Sequence, residues 1–132
     1  MDFVKIGNIV YDVLVVELSE NFNILYSDNS GRTIAVGAKM ALDPLGTFIG
    51  HRVTFQSKRG YEAEYDALYD ALCKPRSDGI PVEIVHNQET ISYEAYISNG
   101  ERTLKRIDPH TNKVYWDKLS VNIVPMEAQI TP

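Results

Sequence analysis

Apolar and polar residues alternate with a period of two over much of this chain, and this alternation limits the fold more than any other feature. It runs through residues 13–26, 48–58, 80–97 and 115–123. Successive side chains of a β-strand point to opposite faces, so each segment is predicted to form strand structure. In residues 48–58, one face carries Ile49, His51, Val53 and Phe55. Residues 13–18 are apolar at nearly every position, which predicts a stretch covered on both faces.

One segment has helical periodicity instead. Four residues at spacings of four, three and four make a single apolar stripe: Tyr61, Tyr65, Leu68 and Leu72. Pro75 follows Lys74 and ends the helical pattern. We therefore predict a helix over about residues 60–74 that packs on the sheet. The whole order predicts an α+β fold, an antiparallel β-sandwich or small barrel with one flanking α-helix, as a single domain over residues 1–132.

Turn-forming residues separate the strands. Asn99-Gly100 is the strongest hairpin pattern, because a type I′ turn needs positive φ at both central residues, and we predict a two-residue hairpin there. Residues 32–46 are irregular but rich in apolar side chains. We predict a long loop there, mobile in an isolated chain and ordered against a neighbouring copy. The alternative is that it folds back as a strand of the same sheet.

Composition excludes several classes of protein. The formal net charge of −5 over 132 residues disfavours non-specific nucleic-acid binding through a basic face. The single cysteine excludes an intramolecular disulfide. No apolar stretch approaches the ~20 residues of a membrane helix. The first residues lack the basic start and apolar core of a signal peptide, so we expect a soluble protein in a reducing compartment.

None of the three histidines has a metal-ligand spacing, so we predict no metal site and no cofactor. His51 lies on an apolar strand face, which favours a hydrogen-bonded core histidine over a ligand or catalytic group. His86 and His110 border turns and are expected to be solvated. The sequence contains no phosphate-binding loop, dinucleotide fingerprint or nucleophile elbow, and we predict that the chain is not an enzyme.

Two further groups of residues have ordinary structural interpretations. Reactive cysteines usually lie at helix N-termini, whereas Cys73 lies at the C-terminal end of the predicted helix, so we predict a small core-facing thiol. Glu62, Asp66 and Asp70 recur every four residues and share one helical face. Paired carboxylates can do acid–base work, but these face away from the apolar stripe and are predicted to form a solvated or partner-facing acidic surface.

Three features occur together. A Ser-Gly-Arg-Thr turn at residues 30–33 precedes Leu-Gly-Thr-Phe-Ile-Gly at 45–50, and the helix at 64–72 is closed by Lys-Pro. The end of the chain has Tyr-Glu-Ala-Tyr-Ile at 93–97 and Tyr-Trp-Asp-Lys-Leu-Ser-Val-Asn-Ile-Val-Pro-Met-Glu at 115–127. This combination resembles small tail proteins of bacteriophages and prophages of Gram-positive bacteria. It is similar in layout to the N-terminal domain of siphophage distal tail proteins, and more loosely to tail tube proteins.

The resemblance implies a virion structural protein without catalytic residues, whose copies form a homo-oligomeric ring, hexameric in that family, around the DNA channel. Its partners would be other copies of the chain and other tail proteins. DNA would pass through the channel as cargo without specific binding, and no contact with a membrane is expected. The implied location is the virion tail, with the host cytoplasm during assembly. Distal, tube, adaptor and terminator positions remain open.

The irregular region supplies the residues that we expect at the subunit interface: Arg32, Ile34, Val36, Met40, Leu42 and Leu45. A function of a different class also fits the sequence. The chain would then be a monomeric ligand-binding or enzymatic α+β domain, with His51 or the pair of Asp66 and Asp70 at a pocket. A native size measurement separates the two hypotheses.

Overall fold

The computed structural model describes residues 4–27, 31–32 and 40–132. Its elements follow in the order β1 Val4–Ile6, β2 Leu14–Tyr26, β3 Gly31–Arg32, β4 Met40–Ala41, β5 Pro44–Gln56, α1 Glu62–Cys73, β6 Ile80–His86, β7 Glu89–Asp108 and β8 Lys113–Pro125. Six strands form one antiparallel sheet in the order β1-β6-β7-β8-β5-β2, and β3 pairs with β4. The predicted α+β fold, with antiparallel strands and one helix, is confirmed.

Every second residue of the central strands builds the core. The buried apolar side chains are Ile49, Val53 and Phe55 of β5, Ile80, Val82 and Ile84 of β6, and Leu119, Val121 and Ile123 of β8. The helix covers this face through Tyr65, Leu68 and Leu72, each at most 7% exposed. The strands have an apolar residue at every second position, and the helix has one at every third or fourth position. These apolar faces pack against each other, as the sequence predicts.

The helix is shorter than predicted at both ends. Tyr61 was expected in the buried stripe, but it precedes α1 and is 47% exposed. Gly60 has a φ of 87°, and the N–H of Tyr61 donates to the carbonyl of Lys58 in a turn that precedes the first helical residue. At the other end Lys74 is extended, because a residue that precedes proline is disfavoured in the helical region.

The hairpin predicted at Asn99-Gly100 is wrong. β7 continues through both residues, which pair with Asn122 and Val121 of β8. A bulge just before Asn99 shifts the register, and the φ of Gly100 is not positive. A Cβ at Gly100 would lie 3.2 Å from the carbonyl oxygen of Ser120. The glycine therefore permits close approach of two strands rather than a turn.

The tight turns lie elsewhere. β6 and β7 are joined by Asn87 and Gln88, with His86 paired to Glu89 and a φ of 53° at Asn87. β7 and β8 meet at the predicted loop after Asp108, which pairs with Lys113. The positive φ values of this region thus fall on asparagines, which tolerate the left-handed conformation better than most residues.

Two arms project from opposite ends of the sheet. β8 pairs with β5 only from His51 to Phe55, so residues 44–48 of β5 extend past it with residues 22–26 of β2. We call these residues the β2–β5 arm. At the other end, β7 and β8 continue past Arg102 and Leu119 as residues 103–118, which we call the β7–β8 arm.

The C-terminal segment supports the base of the β2–β5 arm. Thr47 forms a bridge with Ile130, and the side-chain amide of Gln129 donates to the carbonyl of Ile49 at 2.7 Å and accepts from its N–H at 2.9 Å. Gln129 therefore takes the place of a neighbouring strand where β8 no longer pairs with β5.

Candidate functional site

Exposed apolar side chains gather on the β2–β5 arm and on the residues that lead into it. We call this group the apolar arm surface: Phe22, Ile24, Leu25, Tyr26, Met40, Leu42 and Leu45. Phe22 is 72% exposed, Leu42 58% and Leu45 56%. A grouped apolar surface of this kind is typical of a contact with another molecule, whereas single exposed apolar residues are common everywhere.

The residues predicted for the subunit interface fall partly on this surface. Met40, Leu42 and Leu45 belong to it, with 40% exposure at Met40. Arg32 lies in the two-residue strand β3, which pairs with β4. Ile34 and Val36 lie outside the described residues, as do the other residues from 33 to 39, whereas residues 44–46 of the predicted loop belong to strand β5. The sequence missed the contribution of β2, because alternation alone does not say which strand lies at an edge.

β2 is an edge strand with little cover. Within the described part of the chain it pairs with β5 alone. Leu14, Val15 and Val16 are 43% to 46% exposed, so the cover predicted for both faces is not provided by the described residues. An exposed, apolar edge strand of 13 residues offers a row of backbone donors and acceptors to another chain.

A polar cluster lies near the middle of the same strand. Nδ1 of His51 is 2.8 Å from the hydroxyl of Tyr93, and Nε2 of His51 is 3.4 Å from Oε1 of Glu20. The same Glu20 oxygen contacts Nδ1 of His86. We call these four side chains the His51 cluster. It brings together strands β2, β5, β6 and β7, whose members are far apart in sequence.

Burial determines the protonation of the cluster. The side chain of His51 is fully buried, which lowers the pKa of His51 below its ordinary value, although the nearby Glu20 carboxylate offsets part of this effect. Burial, assisted by the charge of Glu20, raises the pKa of Tyr93 well above its ordinary value. Tyr93 thus remains a phenol. When its hydroxyl donates to Nδ1, the proton of the neutral imidazole lies on Nε2, which faces Glu20.

The cluster links the two sides of the sheet. β2 is at one edge and β6 is next to the other, yet Glu20 contacts both His51 and His86. The Nε2 of His51 has no well-aligned hydrogen-bond partner among the described residues. His51 is the buried core histidine that the sequence predicts.

The other predicted candidates are not brought together. Asp66 is exposed and forms an ion pair with Arg102 at 3.3 Å, while Glu62 pairs with Lys113 at 3.4 Å. Asp70 is exposed, as the predicted acidic surface requires, and so is His110. His86, which was expected to be solvated, is only partly exposed and contacts Glu20.

The prediction for Cys73 is wrong. Its thiol belongs to an exposed residue, whereas the preceding Leu72 is buried. Successive helical residues point about 100° apart, so the burial of Leu72 turns Cys73 away from the core.

Sequence reasoning also missed Arg102. Its guanidinium lies 3.6 Å from the ring centroid of Tyr69 and 4.0 Å from that of Trp116. It therefore joins α1 to β7 and β8. The only sign in the sequence is the abundance of aromatic residues, which does not say where a cation will be sandwiched.

Neither a family model nor a curated protein matches this sequence. Among the described residues, no helix has the length and apolar character needed to cross a membrane. Within that same part of the chain, no group of three or more His, Cys, Asp or Glu side chains is arranged to hold a metal ion.

Proposed function

We propose that this chain is a structural subunit of a bacteriophage tail, which assembles into a ring of identical copies around the DNA channel. The apolar arm surface, together with the open edge of β2, is the observation that carries the proposal. The resemblance of the sequence to small tail proteins supplies the biological setting. A hexamer is the ring order that the resemblance implies.

The two edges of the sheet support a head-to-tail contact. β2 contributes 13 residues at one edge, whereas β1 contributes three at the other. Contacts between unlike surfaces of neighbouring copies form a closed ring when the successive rotations from copy to copy add up to a full turn. An apolar surface concentrated on one projecting arm fits such a contact, because each copy would cover the arm of one neighbour.

The charge of the chain is compatible with DNA as passing cargo. A net charge of −5 repels a polyanion over most of the molecular surface. A channel wall that does not hold phosphates lets DNA slide through, since phosphate contacts supply most of non-specific affinity.

Labelling of intact particles tests this function. An antibody raised against the purified chain should decorate the tail at one level, whether distal, tube, adaptor or terminator. Tails purified from a strain that lacks the coding sequence should be shortened, absent or unable to join the head. Intact, infectious particles without the chain would contradict a structural role.

The His51 cluster favours a second candidate function, that of a monomeric ligand-binding or enzymatic domain. Glu20 and His86 remain 33% and 30% exposed at the side chain, so a small polar molecule can reach them. A monomer whose ligand binding is lost in Glu20→Gln, with folding preserved, would support this function over ring assembly.

A further inference from the structure

A cavity of about 610 Å³ lies at the opposite end of the molecule from the apolar arm surface. Its walls are the end of β5, the loop that leads into α1, the first residue of α1 and the β7–β8 arm. No residue of the apolar arm surface or of the His51 cluster lines it.

The cavity is strongly basic in a chain that is acidic overall. Five cationic side chains line it: Lys58, Arg59, Lys105, Arg106 and Lys113. Among the residues that the structure describes, two carboxylates line it with them, those of Glu62 and Asp117. Because the whole chain has a net charge of −5, the rest of the molecule is correspondingly more acidic. Such a local concentration of one charge focuses the electrostatic potential and attracts anions.

Three of these cations are available to a ligand. Lys58 pairs with Asp12, and Lys113 pairs with Glu62. Within the described ranges, Arg59, Lys105 and Arg106 form no ion pair. The guanidinium of Arg106 lies 4.3 Å from the ring centroid of Tyr115, which holds its planar group at the rim of the cavity.

The start of α1 already holds one oxyanion. Oε1 of Glu62, the first residue of α1, lies 3.4 Å from Nζ of Lys113. Hydrogen bonding to the backbone at the helix start, together with Lys113, lowers the pKa of the Glu62 carboxyl. Glu62 therefore competes with an external oxyanion for Lys113.

We propose that this cavity binds a small ligand through its phosphate groups, held by Arg59, Lys105 and Arg106. Phosphate suits these donors because the guanidinium group of arginine binds its oxygens in pairs. Three cations without an ion pair, against the one remaining carboxylate of Asp117, favour two linked phosphates over one. The site is independent of the proposed tail function.

Calorimetric titration with pyrophosphate, at constant ionic strength, tests the site. The double variant Lys105→Ala/Arg106→Ala should bind roughly tenfold more weakly than the unmodified chain, because two charge-assisted contacts are lost. The control Lys74→Ala/Arg76→Ala removes the same charge at the other end of α1 and should change affinity less than about twofold. Thermal unfolding checks that each variant is folded.

Glu62→Gln supplies a test with the opposite sign. It removes the competing carboxylate and frees Lys113, so pyrophosphate affinity should rise several-fold. Absence of pyrophosphate binding at millimolar concentration, or equal weakening in the control double variant, would overturn the proposal. Binding of a short single-stranded DNA without binding of pyrophosphate would also overturn it, because the site would then recognise a nucleic-acid backbone.

Discussion

Arg102 is the residue that ties the helix most directly to the far strands. Its guanidinium is stacked between Tyr69 of α1 and Trp116 of β8 and forms an ion pair with Asp66. The side chain of Arg102 is 17% exposed, so these contacts are partly shielded from water. A cation held between two aromatic rings combines attraction to both π-faces with packing of its own apolar stem.

Replacement of Arg102 by Met should therefore lower the free energy of unfolding by about 1–3 kcal/mol. Arg102→Lys should recover only part of this loss, because an ammonium group cannot stack on two rings as a planar guanidinium does. Urea denaturation measures both effects. Arg106→Met is the matched control, since Arg106 stacks on a single ring, that of Tyr115, and an equal loss there would contradict the bridging role of Arg102.

His51 makes stability depend on pH. Burial lowers the pKa of His51 in the folded state, so the unfolded chain takes up the proton first as the pH falls. The stabilisation is present above the unfolded pKa of about 6.5 and is lost as the pH falls toward the folded value. The free energy of unfolding should then fall below pH 6.5, by at most about 1.4 kcal/mol per pH unit from this residue.

Denaturation of His51→Gln and His110→Gln at several pH values tests this linkage. His51→Gln should flatten the profile between pH 7 and 5, whereas the variant of the exposed His110 should keep the slope of the unmodified chain. Identical slopes in all three proteins would show that another group controls the acid response.

The partners of His51 show what a sequence can and cannot predict about a residue. Its burial follows from the apolar face of β5, which is visible as alternation. Its contacts with Glu20 and Tyr93 depend on strand order and register, because Tyr93 lies 42 residues away in the chain. No local sequence pattern shows that the carboxylate of Glu20, on the edge strand β2, contacts the imidazole of His86, on β6 next to the other edge.

Among the elements, α1 was the most predictable because packing and propensity agree along its length. Alanines and a continuous apolar stripe favour helix, and Pro75 ends it. The prediction of a turn at Asn99-Gly100 is wrong because the turn preference of these two residues competes with the long pairing between β7 and β8. The pairing prevails through a bulge and through the close approach that Gly100 permits. Turn preferences are thus weaker evidence than alternation that continues on both sides of the supposed turn.

Leu68→Ala measures how much the helix contributes to the core. Leu68 has no exposed surface and packs in the main cluster, so its truncation should cost about 2–5 kcal/mol. Asp70→Ala, on the exposed side of α1, should change stability by less than about 0.5 kcal/mol. Chemical denaturation of both variants compares them directly. A small effect at Leu68 would mean that the surrounding core rearranges to fill the space.

The whole molecule has two different ends. The apolar arm surface lies where β5 begins, and the basic cavity lies where β5 ends. Such an asymmetry gives the subunit a direction, which a ring that stacks between different tail proteins requires. The described residues leave the edge strand β2 exposed on both faces, and this incomplete cover is the main physical reason to expect association between copies.

The native mass of the purified chain tests self-assembly most directly. Native mass spectrometry or analytical ultracentrifugation should find a closed oligomer whose mass is a multiple of 14.9 kDa. Phe22→Lys, which places a charge on the apolar arm surface, should release folded monomers. Ile107→Lys makes the same kind of change on the β7–β8 arm and should leave the oligomer intact. A concentration-independent monomer of 14.9 kDa for the unmodified chain would contradict the account.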